Sequence, residues 1–175
     1  LTNLVYKSKN GRVLADNGER YGFFAKAVLS TLPHLFWTPD VFICNGWQSA
    51  MVPGMFNKHF DGINEFYQNI KTVMVIHNLD EYAEVSRKDL EMAEVPIHDS
   101  LKGEMLNVYE VAAYETDAII IFDKPSKSIS DKLLKKDGLK ANKKKVSVVK
   151  WSDDEMPDYS IIADKMDKVL EKLSN

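Results

Sequence analysis

A single cysteine in 175 residues leaves the chain without a partner for an intrachain disulfide. Cys44 follows Val41, Phe42 and Ile43 in a short apolar run, which suits a small buried side chain better than a reactive thiol. No apolar stretch approaches the roughly 20 residues needed to cross a bilayer, and no signal peptide opens the chain. Membranes are therefore not an expected partner, and the sequence reads as cytoplasmic. Leu1 in place of methionine points to an N-terminally truncated chain. The eight glycines are scattered and never adjacent, and neither G-x-G-x-x-G nor G-x-x-x-x-G-K occurs, which excludes a glycine-rich phosphate loop. His34, His59, His77 and His98 lie too far apart for metal-ligand spacing, so no metal is expected. There is no G-x-S-x-G elbow, and no pair of carboxylates stands out as a glycosidase acid and base. Positive charge is also short. A formal net charge of −3 argues against a nucleic-acid partner, and the run Lys143, Lys144 and Lys145 reads as a solvated loop or helix end.

What is present is the ordinary mixture of a folded domain, 45% hydrophobic and 28% charged. A chain of this length forms one domain and buries roughly 70% of its unfolded surface. The expected domain spans residues 1–175, with residues 1–15 as an extension or hairpin turning at Asn10 and Gly11. Asp16, Asn17, Gly18 and Glu19 carry the pattern of a capping box. After it, Tyr21, Phe24, Ala25, Val28, Leu29 and Leu32 recur at helical spacing, and Pro33 favours an end to the helix. Short apolar runs at Val41–Cys44, Thr72–Ile76, Ala118–Phe122 and Val146–Val149 predict buried strands, the first of them unbroken and fitting a strand covered on both faces. A short helix is expected over Ser86 to Ala93 and a longer one through Leu101, Met105, Val108 and Ala112. Ser128 to Leu134 and the stretch from Ile162 to Leu173 read as helices too. Strands alternating with helices predict an α/β class, a Rossmann-like parallel sheet flanked by helices.

In such sheets ligands bind in the crevice beyond the carboxyl ends of the strands. The first strand ends at Asn45, Gly46, Trp47 and Gln48, the second at His77, Asn78, Leu79 and Asp80, and the third at Asp123, Lys124 and Pro125. Indole, amide and imidazole groups suit carbohydrate, because an indole covers a sugar ring while the others bond hydroxyls. The plainer alternative has Trp47 packed under the sheet and the amides capping helices.

These residues also resemble a known family. Asp16 to Phe24 is similar to the "DNxxRFxxF" helix start of glycogen and starch synthases, and Trp37-Thr38-Pro39-Asp40-Val41 to their "W-x-P-D-V/I". Ile43 to Pro53 resembles "H-x-H-D-W-H/Q-A/S/T-A/G-L-x-P", and Lys71 to Leu79 resembles "K-T/S-V-F/Y-T-I-H-N-L". The resemblance implies one half of a two-Rossmann-domain glycosyltransferase. That enzyme moves glucose from ADP-glucose or UDP-glucose to an α-1,4-glucan, with retention and without a metal. It implies that Trp47, Gln48, His77 and Asn78 bind substrate, and that Asp16 and Arg20 support the wall. No cofactor is implied, and a nucleotide-glucose donor would be used only with the second domain supplied.

The departures are as informative. The His-Asp before the family's tryptophan is Asn45-Gly46 here, which puts Asn45 at the catalytic position. "V-S-P-T-Y" is replaced by Phe122-Asp123-Lys124-Pro125-Ser126, and no Lys-Thr-Gly-Gly loop occurs. The expectation is a synthase-like domain inactive alone, with α-glucan or maltooligosaccharide as partner. The alternative is a non-catalytic glucan-binding, regulatory or scaffold module that pairs with another chain or a missing domain.

Overall fold

The computed structural model describes residues 5–79, 81–150, 152 and 158–174. Residues 1–4 of the opening segment, and Asp80 at the end of the second strand, lie outside them. In chain order the elements are α1 (Asn17–Thr31), β1 (Val41–Asn45), α2 (Val52–His59), β2 (Lys71–Ile76), β3 (Glu84–Ser86), α3 (Arg87–Met92) and β4 (Met105–Asn107). They continue with α4 (Val108–Glu115), β5 (Ala118–Asp123), α5 (Ser130–Leu133), α6 (Asp137–Ala141), β6 (Val146–Lys150) and α7 (Tyr159–Ser174).

Four strands form one parallel sheet in the order β1-β2-β5-β6. The central strands β2 and β5 are covered on both faces, as their apolar runs predict. Strands β1 and β6, expected to be buried likewise, are instead edge strands that leave Ile43 and Val148 exposed. Along β2, Val73 and Val75 join Ala118, Ile120 and Val149 under Ile162 and Val169 of α7. Their neighbours Met74, Ile76, Ile119 and Ile121 face the larger core with Leu29, Met51, Phe56, Leu90 and Leu133. Each alternate residue thus enters a different core, as the period of two along a strand requires. No helix among the described residues is long and apolar enough to cross a membrane.

Local details show where pattern reading needed tertiary context. Asp16 precedes α1 but makes no side-chain cap, because its backbone (φ −88°, ψ 6°) is not the extended form that aims a cap at the helix. The expected capping box does not form. Ser86 does cap α3, accepting from the Asp89 N–H at 3.1 Å. The long helix expected from Leu101 begins only at Val108. Gly103 (φ +101°) interrupts the chain before it, and Asn107 caps α4 by accepting from the Tyr109 N–H at 3.1 Å. Residues Met105–Asn107 pair instead with Glu84–Ser86 as an antiparallel two-stranded sheet. Near the start, Lys7 and Val13 bridge antiparallel around Gly11, at φ +81°.

Candidate functional site

The carboxyl ends of β1, β2 and β5 lie side by side, so the residues just beyond them share one rim. Asn45 ends β1 as an exposed side chain. The Gly46 N–H donates to the Val75 carbonyl at 3.0 Å, which ties the turn after β1 to β2. Gly46 then adopts φ +77°, ψ 173°, a region open in practice only to glycine. A Cβ at this position would sit 2.8 Å from Gln48 Oε1 and 3.3 Å from His77 Cε1. The glycine therefore lets Gln48 and His77 converge over it. His77 and Asn78 are exposed and Gln48 is half-buried. Gln48 Nε2 donates to the Tyr6 hydroxyl at 2.9 Å, and the Tyr109 hydroxyl donates to Asn78 Oδ1 at 3.4 Å.

Trp47 does not join this rim. It is 1% exposed and enclosed by the rings of Tyr21, Tyr6 and Tyr82 at centroid distances of 4.6, 5.4 and 6.3 Å. Neither indole face is open for a sugar, so the expectation of a stacking platform is corrected to a packing role. The reason is the segment before α1, which the motif alone did not place. Tyr6 is laid over Trp47 because Asn17 Nδ2 donates to the Tyr6 carbonyl at 3.1 Å, and Arg20 Nη1 donates to the Val5 carbonyl at 2.9 Å. Arg20 anchors this arm, whereas the Asp16 side chain is exposed. Cys44 lies beneath the rim, where burial pushes its thiol up to about 12, so it stays protonated and unreactive at neutral pH.

A cavity of about 190 Å³ opens between the ends of β2 and β5, lined by His77, Asn78, Lys124, Lys127, Ser128 and Lys132 among others. Its floor is organised by the buried Asp123. Oδ1 accepts from the Ile129 and Ser130 N–H groups at 2.7 and 3.4 Å, and Oδ2 from the Ser130 and Ser128 hydroxyls at 2.6 and 2.9 Å. Burial pushes this carboxyl up, but the four hydrogen bonds outweigh it and hold its pKa below the usual value. The motif reading placed Lys124 at the end of the third strand but missed Lys127 and Lys132, since spacing alone makes them ordinary surface residues. An aspartate followed five and seven residues later by serines was the available signal for the loop. No group of three or more His, Cys, Asp or Glu side chains able to hold a metal occurs among the described residues.

A family model described as the starch synthase catalytic domain matches residues 1–140. The glycogen synthase of Desulforudis audaxviator is 40% identical over 93 residues, 53% of this chain and 18% of that protein. That of Clostridium perfringens is 48% identical over 64 residues, 37% of this chain and 13% of its own length. The catalytic domain of starch synthase IV from Arabidopsis thaliana, solved bound to ADP and acarbose, superposes with a TM-score of 0.61 at 18% identity. It covers 78% of this chain and 30% of its own, a likeness of fold. The chain thus spans less than a quarter of the length of these curated relatives.

Proposed function

The chain belongs to the starch synthase catalytic domain family, and from that premise we propose that its rim is the glucan-facing wall of a glucosyltransferase cleft. The reaction would carry glucose from ADP-glucose or UDP-glucose to an α-1,4-glucan. One observation carries the reading: Gln48 and His77, an amide and an imidazole, meet over Gly46 at the ends of adjacent parallel strands. Asn45 and Asn78 flank them, and such groups donate to and accept from sugar hydroxyls in fixed directions.

A polypeptide of these 175 residues alone is proposed to hold glucan without transferring glucose. Asn45 can bond a hydroxyl but offers no imidazole beside the transferred sugar. Stabilising the leaving diphosphate is a large contribution to such a transfer, and the resemblance assigns it to a second domain. With ADP-glucose or UDP-glucose and maltoheptaose, no labelled glucose should enter the glucan. Calorimetry should nonetheless detect maltoheptaose binding, and His77→Ala should weaken it about tenfold, the cost of one hydrogen bond to a sugar hydroxyl. Glucan extension would refute the silent reading, and equal binding by parent and variant would remove His77 from the site.

Restoring the family pair by Asn45→His with Gly46→Asp should not create transfer. Gly46→Asp should also lower stability by about 1–3 kcal/mol, because a non-glycine residue enters a glycine-only region. A urea midpoint equal to that of the parent would show that the turn relaxes freely.

A further inference from the structure

The cavity between the ends of β2 and β5 carries a charge pattern that an uncharged glucan does not require. Lys124 leaves the end of β5, and the chain turns so that the Lys127 N–H donates to the Lys124 carbonyl at 3.1 Å. That turn brings two lysines to one wall, and Lys132 reaches the same cavity from α5. No lining residue among those described is acidic. Asp123, at the end of β5, is buried and already accepts four hydrogen bonds. The ion pairs among the described residues join Lys26 and His59 to Glu94, Lys71 to Asp117, and Lys136 to Glu84 and Glu110; none uses Lys127 or Lys132. The ammonium groups of Lys127 and Lys132 at one concavity repel each other and raise the local potential, and a bound anion relieves that repulsion.

We propose that this cavity binds the phosphate group of a phosphorylated sugar. The inference rests on the reading of the rim as sugar-facing and names a charged substituent that the rim would accept. Lys127 and Lys132 hold the phosphate oxygens, with Lys124 on the same wall, while Asn78, His77 and the Ser128 hydroxyl meet the sugar's hydroxyls. Size selects the class. Pockets for drug-sized ligands run from about 300 Å³ upward, and about 190 Å³ matches a small group such as one phosphorylated sugar unit. Lys124 falls where the resemblance to the synthases leads to "V-S-P-T-Y", and Lys127 and Lys132 follow it in the same segment.

The test is calorimetric titration of the whole chain at low ionic strength with glucose 1-phosphate, glucose, inorganic phosphate and maltoheptaose. Glucose 1-phosphate should bind at least tenfold more tightly than either glucose or inorganic phosphate. In the double variant Lys127→Gln and Lys132→Gln that advantage should vanish. Both lysines are exposed, so the variant should keep the parent's melting temperature and circular dichroism. Equal affinity for glucose and glucose 1-phosphate would overturn the proposal, as would inorganic phosphate binding as tightly as the sugar phosphate. An advantage that survives the double variant would overturn it as well. The maltoheptaose arm separates the two readings. Glucan binding without a phosphate advantage sinks only this inference, and a phosphate advantage without glucan binding sinks only the glucan reading.

Discussion

Gly138→Ala is expected to destabilise the fold by about 2 kcal/mol, read as a lower urea midpoint with an unchanged slope. Two effects oppose each other at this site in α6. Alanine in a helix gains up to about 1 kcal/mol over glycine. A Cβ here, however, would lie 2.7 Å from both the Glu110 Cβ and the Glu110 carbonyl oxygen, and 2.9 Å from its Cα. These are backbone and near-backbone atoms of α4, which cannot swing aside as the end of a side chain can. The segment is also pinned, because the Gly138 N–H donates to Glu110 Oε1 at 3.0 Å, and Asn142 Nδ2 donates to the Gly138 carbonyl at 2.9 Å. The clash outweighs the propensity gain. A stabilised variant would mean that α6 slides along α4 at little cost.

Asp123→Ala should remove about 3 kcal/mol, since four donors around one buried carboxylate would lose their acceptor together. Asp123→Asn should lose only about 1 kcal/mol at neutral pH. Its remaining oxygen can serve the two N–H groups, and the serine hydroxyls can turn to accept from the new amide. The pH dependence gives a second check. The folded-state pKa of Asp123 is depressed, so the stability it contributes is present above the unfolded-state value near 3.9 and is lost as pH falls through the lower folded value. The gap between parent and Asp123→Asn should therefore be full at pH 7 and shrink below about pH 4. A gap that stays constant across that window would mean that the carboxylate's charge contributes nothing to the fold.

Much of this was legible in the sequence, for a physical reason that can be named. Runs such as Val73-Met74-Val75-Ile76 and Ile119-Ile120-Ile121 are apolar without a break only when both faces of a sheet are covered. That single property yields the strands and the class. The rim followed from the same logic, since strand ends in a parallel sheet are where side chains such as Asn45 and His77 meet. The failures share a cause as well. Residues Glu84–Ser86 and Met105–Asn107 are too short to show a period, and each is a strand only because the other is there. Trp47 read as a sugar platform because its cover comes from Tyr6, forty-one residues earlier, held down by Asn17 and Arg20. Lys124, Lys127 and Lys132 have no meaningful spacing along the chain. A turn and a short helix make them neighbours.

The turn at Gly46 also sets an order in which this chain can change. Asn45 is exposed and lies in ordinary strand geometry, so the position accepts other side chains in a single step. Gly46 cannot, because any side chain there meets Gln48 and His77 as well as an unfavourable backbone. A His-Asp pair here would require Gln48 to move or the peptide to be re-aimed, at a cost in stability. The two departures from the family's His-Asp pattern are therefore unequal. One is a replaceable side chain, and the other has been built into the course of the backbone.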